Sequence, residues 1–107
     1  MVYLVSTTWY PPNKQPEVLK IYLQLAQKYP PQPELGETVV DLMVTVDEDG
    51  IKVMTIFKVN NGKYEEALTR SHTMLSEYWG IEGYRYTVKT WSTLEEAFAI
   101  LGEKPPE

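Results

Sequence analysis

Alternating polar and apolar positions predict four β-strands in this chain. The second strand shows the pattern most clearly, because Val40, Leu42, Val44 and Val46 share one face and more polar residues share the other. An acidic turn that ends in Gly50 separates it from the third strand, as expected for a hairpin. The predicted strands span residues 2–10, 38–47, 51–59 and 81–91.

Apolar residues that recur at helical spacing predict two long helices and a short one. In the first helix, Val18, Tyr22, Leu25 and Tyr29 fall on one face. A proline-rich segment follows this helix and is expected to stop it. The predicted helices span residues 16–28, 64–79 and 93–101.

Residues suited to helix ends flank these segments. Pro16 fits the first helical turn, where its missing N–H is not needed, and Asn13 or Gln15 is the expected N-cap. Gly80 is expected to end the second helix. A capping box is expected to precede the last helix, either Ser92 with Glu95 or Thr93 with Glu96.

The order β-α-β-β-α-β, followed by a short helix, predicts a ferredoxin-like α+β fold. Right-handed crossovers would place both long helices on one face of a four-stranded antiparallel sheet. No linker interrupts the pattern. We therefore expect residues 1–101 to form one domain and residues 102–107 to form a mobile tail.

The second face of the predicted sheet is less polar than an exposed face should be. The first strand carries no charge on either face, and Met54 and Ile56 lie between Lys52 and Lys58 on the third. A terminal helix of about nine residues is too short to cover four strands. We therefore expect a homodimer whose sheet faces pack together, with two-fold symmetry.

Composition excludes several classes of partner and site. The 107 residues contain 10 Lys and Arg against 15 Asp and Glu, and this acidity argues against a nucleic-acid partner. No apolar run reaches the ~20 residues of a membrane span, and no signal peptide is evident at the N-terminus, so a cytoplasmic protein is expected. The chain lacks Cys and has one His, so no metal or cofactor is expected.

The aromatic content is high for so small a chain, with 8 Tyr, 3 Trp and 2 Phe. Aromatic side chains suit either a dimer interface or an apolar pocket with a few hydrogen-bonding groups. The second reading predicts an aromatic-lined cavity for a small apolar or aromatic molecule. Its candidate ligand-binding residues are Trp9, Ser71, His72, Tyr84 and Tyr86.

Three polar residues in these segments each have a structural alternative. His72 is the candidate catalytic base, and the favoured alternative is a half-packed residue at the edge of its helix. Ser71 lies on the apolar face of that helix, where its hydroxyl could point into a cavity or bond back to the preceding turn. Asp41 lies on a predicted edge strand, where a charge commonly prevents aggregation.

Residues 2–9, the strand of residues 53–58 and the amphipathic helix after it resemble the dimeric α/β-barrel superfamily, which includes antibiotic-biosynthesis monooxygenase-like domains and haem-degrading monooxygenases. The resemblance implies a face-to-face dimer with a ligand cavity in each subunit, between sheet and helices. The haem-degrading members carry an Asn on the first strand and a Trp and a His in the second helical region. Here the first strand has no Asn and Trp79 follows His72, which argues against haem degradation.

Three functions follow as expectations. The first is a homodimeric protein that binds a small apolar or aromatic molecule without assigned catalysis. The second, implied by the resemblance, is a cofactor-independent monooxygenase-like enzyme with His72 as its base. The third is a protein–protein interaction module.

Overall fold

Four strands form a single antiparallel sheet in the order β2-β3-β1-β4. The computed structural model describes residues 2–102, so residues 103–107 of the predicted tail lie outside the described residues. Together with three helices, the sheet confirms the predicted α+β class. The elements are β1 (Val2–Tyr10), a 3-10 turn (Pro12–Lys14), α1 (Gln15–Lys28), β2 (Gly36–Asp47), β3 (Gly50–Val59), α2 (Tyr64–Ser76), β4 (Arg85–Ser92) and α3 (Leu94–Leu101).

The core lies between the sheet and the two longer helices, in two clusters. The first joins Val18 and Leu25 of α1 to Tyr10 at the end of β1, and it includes Tyr78 and Ile81 after α2. In the second, Leu4, Val59 and Ala67 link β1, β3 and α2. Even-numbered residues of β1 therefore face the helices, and odd-numbered residues form the open face of the sheet.

Strand β2 departs from the predicted alternation. Its register against β3 shifts between Thr38 and Val40 and again between Val40 and Met43. As a result Val40 lies opposite Ile56 on the open face, whereas Val44 lies opposite Val53 on the helix side. The prediction that Val40 and Val44 share a face was wrong, because each bulge moves the following side chains to the other face.

Two predicted boundaries were also wrong. Helix α2 ends at Ser76 rather than at residue 79, and β4 begins at Arg85 rather than at residue 81. The intervening turns bury Tyr78 and Ile81, which explains the apolar pattern that had suggested regular structure there. Accordingly Gly80 does not cap α2, whose C-cap is Glu77.

The N-cap predicted for α1 was wrong, whereas one of the capping boxes predicted for α3 is present. Helix α1 has Lys14 at its N-cap with no side-chain hydrogen bond, so neither Asn13 nor Gln15 caps it. The capping box of Thr93 with Glu96 is confirmed at α3, since the Thr93 hydroxyl accepts from the Glu96 N–H and the Glu96 carboxylate accepts from the Thr93 N–H.

Gly50 closes the β2–β3 turn as predicted, with a φ of 106°. A Cβ at this position would lie 2.6 Å from the carbonyl oxygen of Tyr10. Glycine is therefore required both by the backbone conformation and by the close approach of the turn to the end of β1.

The open face carries cations beside aromatic rings. Trp9 lies opposite Lys52 on β3 and Arg85 on β4, and each cation is 5.6 Å from the indole centroid. These distances are typical of cation–π contacts. Within residues 2–102, no helix has the length and apolar character needed to cross a membrane.

Candidate functional site

A cavity of about 750 Å³ lies between the helices and the helix-facing side of the sheet. Both α1 and α2 contribute to its wall, together with the loop that joins α1 to β2 and the sheet itself. Most of the lining side chains are apolar. The aliphatic and Phe side chains are Leu4, Val18, Leu19, Leu25, Ala26, Leu35, Leu42, Val44, Val53, Phe57, Met74 and Leu75.

The loop between α1 and β2 is fixed by two side chains from elsewhere in the chain. The Arg70 guanidinium on α2 donates to the carbonyl oxygens of Tyr29 and Pro30, at 3.2 and 2.6 Å. The Asn60 amide donates to the carbonyl oxygens of Pro33 and Glu34, at 3.2 and 3.1 Å. These contacts hold one wall of the cavity in place.

Three stacked tyrosines also line the cavity. The rings of Tyr78 and Tyr84 are nearly parallel, with centroids 4.7 Å apart, and Tyr10 stacks on Tyr84 at 6.0 Å. The Tyr10 hydroxyl donates to Gln15, and the side chains of Thr8 and Tyr84 share a hydrogen bond. The stack is thus oriented by polar contacts at two of its three rings.

The tyrosine hydroxyls stay protonated well above neutral pH. Burial raises the pKa of Tyr78 to about 12, helped by the nearby Tyr22 and Tyr10. Burial also raises the pKa of Tyr84 and of Tyr10. Near neutral pH the Tyr78 hydroxyl, which has no hydrogen-bond partner among the described residues, can therefore donate a hydrogen bond to a ligand.

Three hydroxyls on the cavity wall, those of Tyr22, Ser71 and Tyr78, make no hydrogen bond to another described residue. By contrast, Thr73 bonds back to the carbonyl oxygen of Thr69 at 2.8 Å. Ser71 therefore does not follow the back-bonding alternative. Among the described residues no enclosed side-chain polar atom lacks a partner, so these three hydroxyls of cavity-lining residues are open to water or to a ligand.

The five sequence-predicted ligand residues do not lie together. Ser71 and Tyr84 line the cavity, whereas Trp9, His72 and Tyr86 do not. His72 is exposed on α2, with its ring centroid 6.3 Å from that of Tyr86. Tyr86 in turn accepts a hydrogen bond of 3.0 Å from the indole of the exposed Trp79. Trp9 belongs to the open face, on the other side of the sheet.

Sequence reasoning missed Tyr10, Gln15 and Tyr78 as parts of this site. Two signals were present, since Tyr10 has the same parity on β1 as Leu4, and Tyr78 follows Ser71 by two helical turns. Nothing in the sequence pattern marked Gln15 as a site residue, because only the turn after β1 places it at the cavity.

The described part of the chain offers no group of three or more His, Cys, Asp or Glu side chains that could hold a metal ion. Asp41 lines the cavity on edge strand β2, where its carbonyl oxygen accepts from the Thr55 hydroxyl at 2.8 Å. No family model and no curated protein matches this chain.

Proposed function

We propose that the protein binds a small apolar or aromatic molecule in the cavity between its helices and its sheet. The observation that carries the proposal is the cavity itself, whose volume of about 750 Å³ lies in the range of small-molecule sites. Its apolar wall would remove such a molecule from water. The free hydroxyls of Tyr22, Ser71 and Tyr78 would orient a ligand that carries a hydrogen-bond acceptor.

The proposal includes a ferredoxin-like arrangement of the kind found in the dimeric α/β-barrel superfamily. The β-α-β-β-α-β order, the antiparallel sheet and the packing of α1 and α2 on one face support it. The position of the cavity also supports it, because the resemblance implies a ligand site between sheet and helices.

We further propose that two copies associate through the open faces of their sheets. Val5, Ile56 and Met54 occupy the middle of that face, and Trp91 at its edge is 57% exposed. A monomer would leave these apolar side chains in water, whereas a second sheet would bury them. Sedimentation velocity tests this part, since we expect a dimer at micromolar concentration and a monomer would contradict it.

A catalytic role for His72 has no supporting contact. Its side chain is exposed and does not line the cavity, so the geometry supports binding rather than the monooxygenase-like alternative. A role as an interaction module for a different protein stays a prediction.

A fluorescent probe tests the cavity directly. We expect 1-aminoanthracene, a small neutral aromatic compound, to gain fluorescence when it binds the protein. Ala26 of α1 lines the cavity, so Ala26→Phe should fill part of the site and weaken binding at least tenfold. Gln27, the next residue of α1, does not line it, so Gln27→Phe is the matched control and should bind as the wild type does.

Each possible binding result has a different meaning for the proposal. Loss of binding in Ala26→Phe alone supports the cavity as the site. Equal binding by both variants would place the probe elsewhere, and no binding by the wild-type protein would contradict the proposal. Circular dichroism of each variant checks that a loss of binding is not a loss of folding.

A further inference from the structure

Arg70 of α2 is the one cation among the described residues that line the cavity. It is half-buried, and it makes no ion pair with any carboxylate in the described part of the chain, whereas three of the lysines each pair with a glutamate. An apolar cavity thus contains a positive charge that no side chain balances. Such a charge is costly to remove from water unless an anion accompanies it.

The guanidinium of Arg70 is held in position by neutral groups of the loop after α1. Its Nη2 atom donates to the carbonyl oxygens of Tyr29 and Pro30, at 3.2 and 2.6 Å, and its Cζ atom lies 5.7 Å from the centroid of the Tyr29 ring. A guanidinium has five N–H groups, and these two hydrogen bonds both leave from Nη2. The N–H groups of Nη1 and Nε therefore have no partner among residues 2–102.

The two acidic residues that also line the cavity do not balance this charge. Glu37 lies opposite Lys58 of β3, which belongs to the open face, so its side chain is on the far side of the sheet. Asp41 is exposed on the edge strand β2, where water weakens its effect on other charges. The fixed position and the unused donors of Arg70 are thus available to a bound molecule.

We infer that the molecule bound in this cavity is an apolar or aromatic carboxylate, and that Arg70 binds its carboxylate group. The inference rests on the ligand-binding function proposed above and adds the chemical class of the ligand. A carboxylate oxygen accepts from the free N–H groups of Arg70 in a charge-assisted hydrogen bond, which is stronger than a neutral one. The apolar wall of the cavity then buries the rest of the molecule.

The number of charges favours a carboxylate over a phosphate ester. A carboxylate carries one negative charge, which the single guanidinium matches. A phosphate monoester carries nearly two at neutral pH, so one would stay unbalanced in the apolar cavity. The protein has a net charge of −5, which repels any anion at a distance. A preference for an anion must therefore come from a local cation, and Arg70 is the one that lines the cavity.

A pair of compounds that differ only in charge tests the inference. Naphthalene-2-carboxylate and naphthalene-2-carboxamide have nearly the same size and shape, and calorimetric titration near neutral pH measures the dissociation constant of each. We expect the wild-type protein to bind the carboxylate about tenfold more tightly than the carboxamide. Arg70→Gln should remove this preference.

The matched control is Lys20→Gln on the exposed surface of α1, outside the cavity wall. It lowers the net charge by the same amount as Arg70→Gln and should keep the preference for the carboxylate. Equal losses in the two variants would show that the overall charge of the protein, rather than Arg70, selects the ligand.

Arg70 also holds the loop after α1, so its removal can weaken the binding of both compounds. The ratio of the two dissociation constants is therefore the readout, because a loosened loop affects the carboxylate and the carboxamide alike. Arg70→Lys keeps the charge without the guanidinium and should retain part of the preference. A preference no greater in Arg70→Lys than in Arg70→Gln would contradict charge as its origin.

The remaining results separate the inference from the proposal beneath it. If the wild-type protein binds the two compounds equally, prefers the carboxamide or binds neither while it still binds 1-aminoanthracene, the inference is wrong and the cavity remains a binding site. A preference for the carboxylate that survives in Arg70→Gln would likewise contradict the inference alone. A wild-type protein that binds none of the three compounds would contradict the proposed function as well.

Discussion

The ring of Tyr78 lies on the ring of Tyr84, with centroids 4.7 Å apart and planes 5° from parallel. The two residues come from different elements, since Tyr78 follows α2 and Tyr84 precedes β4. Their contact therefore ties the second helix to the edge of the sheet at one end of the cavity. Tyr78 is buried and Tyr84 is half-buried, and this has a measurable consequence for stability at high pH.

Stability should fall at alkaline pH because of these buried phenols. In the unfolded chain Tyr78 ionises near its usual pKa of 10, whereas in the folded protein burial raises its pKa to about 12. Above pH 10 the unfolded state therefore binds fewer protons, and the free energy of unfolding falls by roughly 2 kcal/mol by pH 12. Urea unfolding at a series of pH values measures this loss.

The matched variant is Tyr78→Phe, which keeps the ring but has no proton to lose. Its free energy of unfolding should decline less steeply above pH 10, with the remaining decline coming from Tyr84 and Tyr10, whose pKa values are also raised. An alkaline decline as steep as that of the wild type would show that Tyr78 does not titrate as the structure implies.

Truncation of Leu4 should be the most damaging change in the core. Leu4 is 1% exposed and packs in the cluster with Val59 and Ala67. Leu4→Ala should lower the free energy of unfolding by about 2–5 kcal/mol, because it removes buried apolar surface and leaves a cavity. Leu23→Ala, at an exposed position of α1, should change it by less than about 0.5 kcal/mol. Similar losses for both would contradict the described core.

Ser71 should matter for binding more than for folding. Ser71 lines the cavity and its hydroxyl has no hydrogen-bond partner among the described residues, so Ser71→Ala should leave stability almost unchanged. The same change should weaken binding of 1-hydroxyanthraquinone, which offers carbonyl acceptors, more than binding of anthracene, which offers none. Equal effects on the two compounds would show that Ser71 makes no hydrogen bond to a bound ligand.

The cap of α3 predicts a local effect. The Thr93 backbone N–H donates to the Glu96 carboxylate at 3.0 Å and, as the largest cause, lowers the pKa of that group. Because the lowered pKa belongs to the folded state, this contribution to α3 is present above the usual pKa of Glu and is lost as the pH falls through the lowered value. The protection factors of the α3 amides, which are corrected for the slower intrinsic exchange in acid, should therefore fall as the pH is lowered.

The variant Thr93→Ala removes the hydroxyl half of the box. It should destabilise α3 by about 1 kcal/mol and accelerate exchange there without changing exchange in β1. Unchanged protection of α3 would mean that packing against β4, rather than the capping box, holds the helix in place.

The order of the elements could be predicted from the sequence because the spacing of the apolar residues agreed with the positions of the turn and cap residues. Gly50 stood alone between two alternating segments, and Thr93 stood three residues before Glu96, so the turn and the cap followed from local chemistry. The bulges of β2 could not be predicted. Val40 and Val44 share a parity in the sequence, and only pairing with β3 shows that one register shift separates their faces.

The site was harder to predict than the fold. Ser71 was found because a hydroxyl on an apolar helix face is unusual, and it does line the cavity. His72 drew attention as the single histidine, but on the helix its side chain points about 100° away from that of Ser71, toward solvent and Tyr86. The position of α1 over the sheet decides which residues share a cavity, and that position depends on tertiary packing rather than on local pattern.

Methionine methyl NMR can show where an aromatic ligand binds, because the three Met residues in the described part of the chain lie in different places. Met74 lines the cavity, whereas Met43 and Met54 pair on strands β2 and β3 away from it. With ¹³C-methyl methionine and added 1-aminoanthracene, we predict a shift of the Met74 resonance and NOEs from the probe to that methyl group. Saturable shifts of Met43 or Met54 with an unmoved Met74 would contradict the cavity as the binding site.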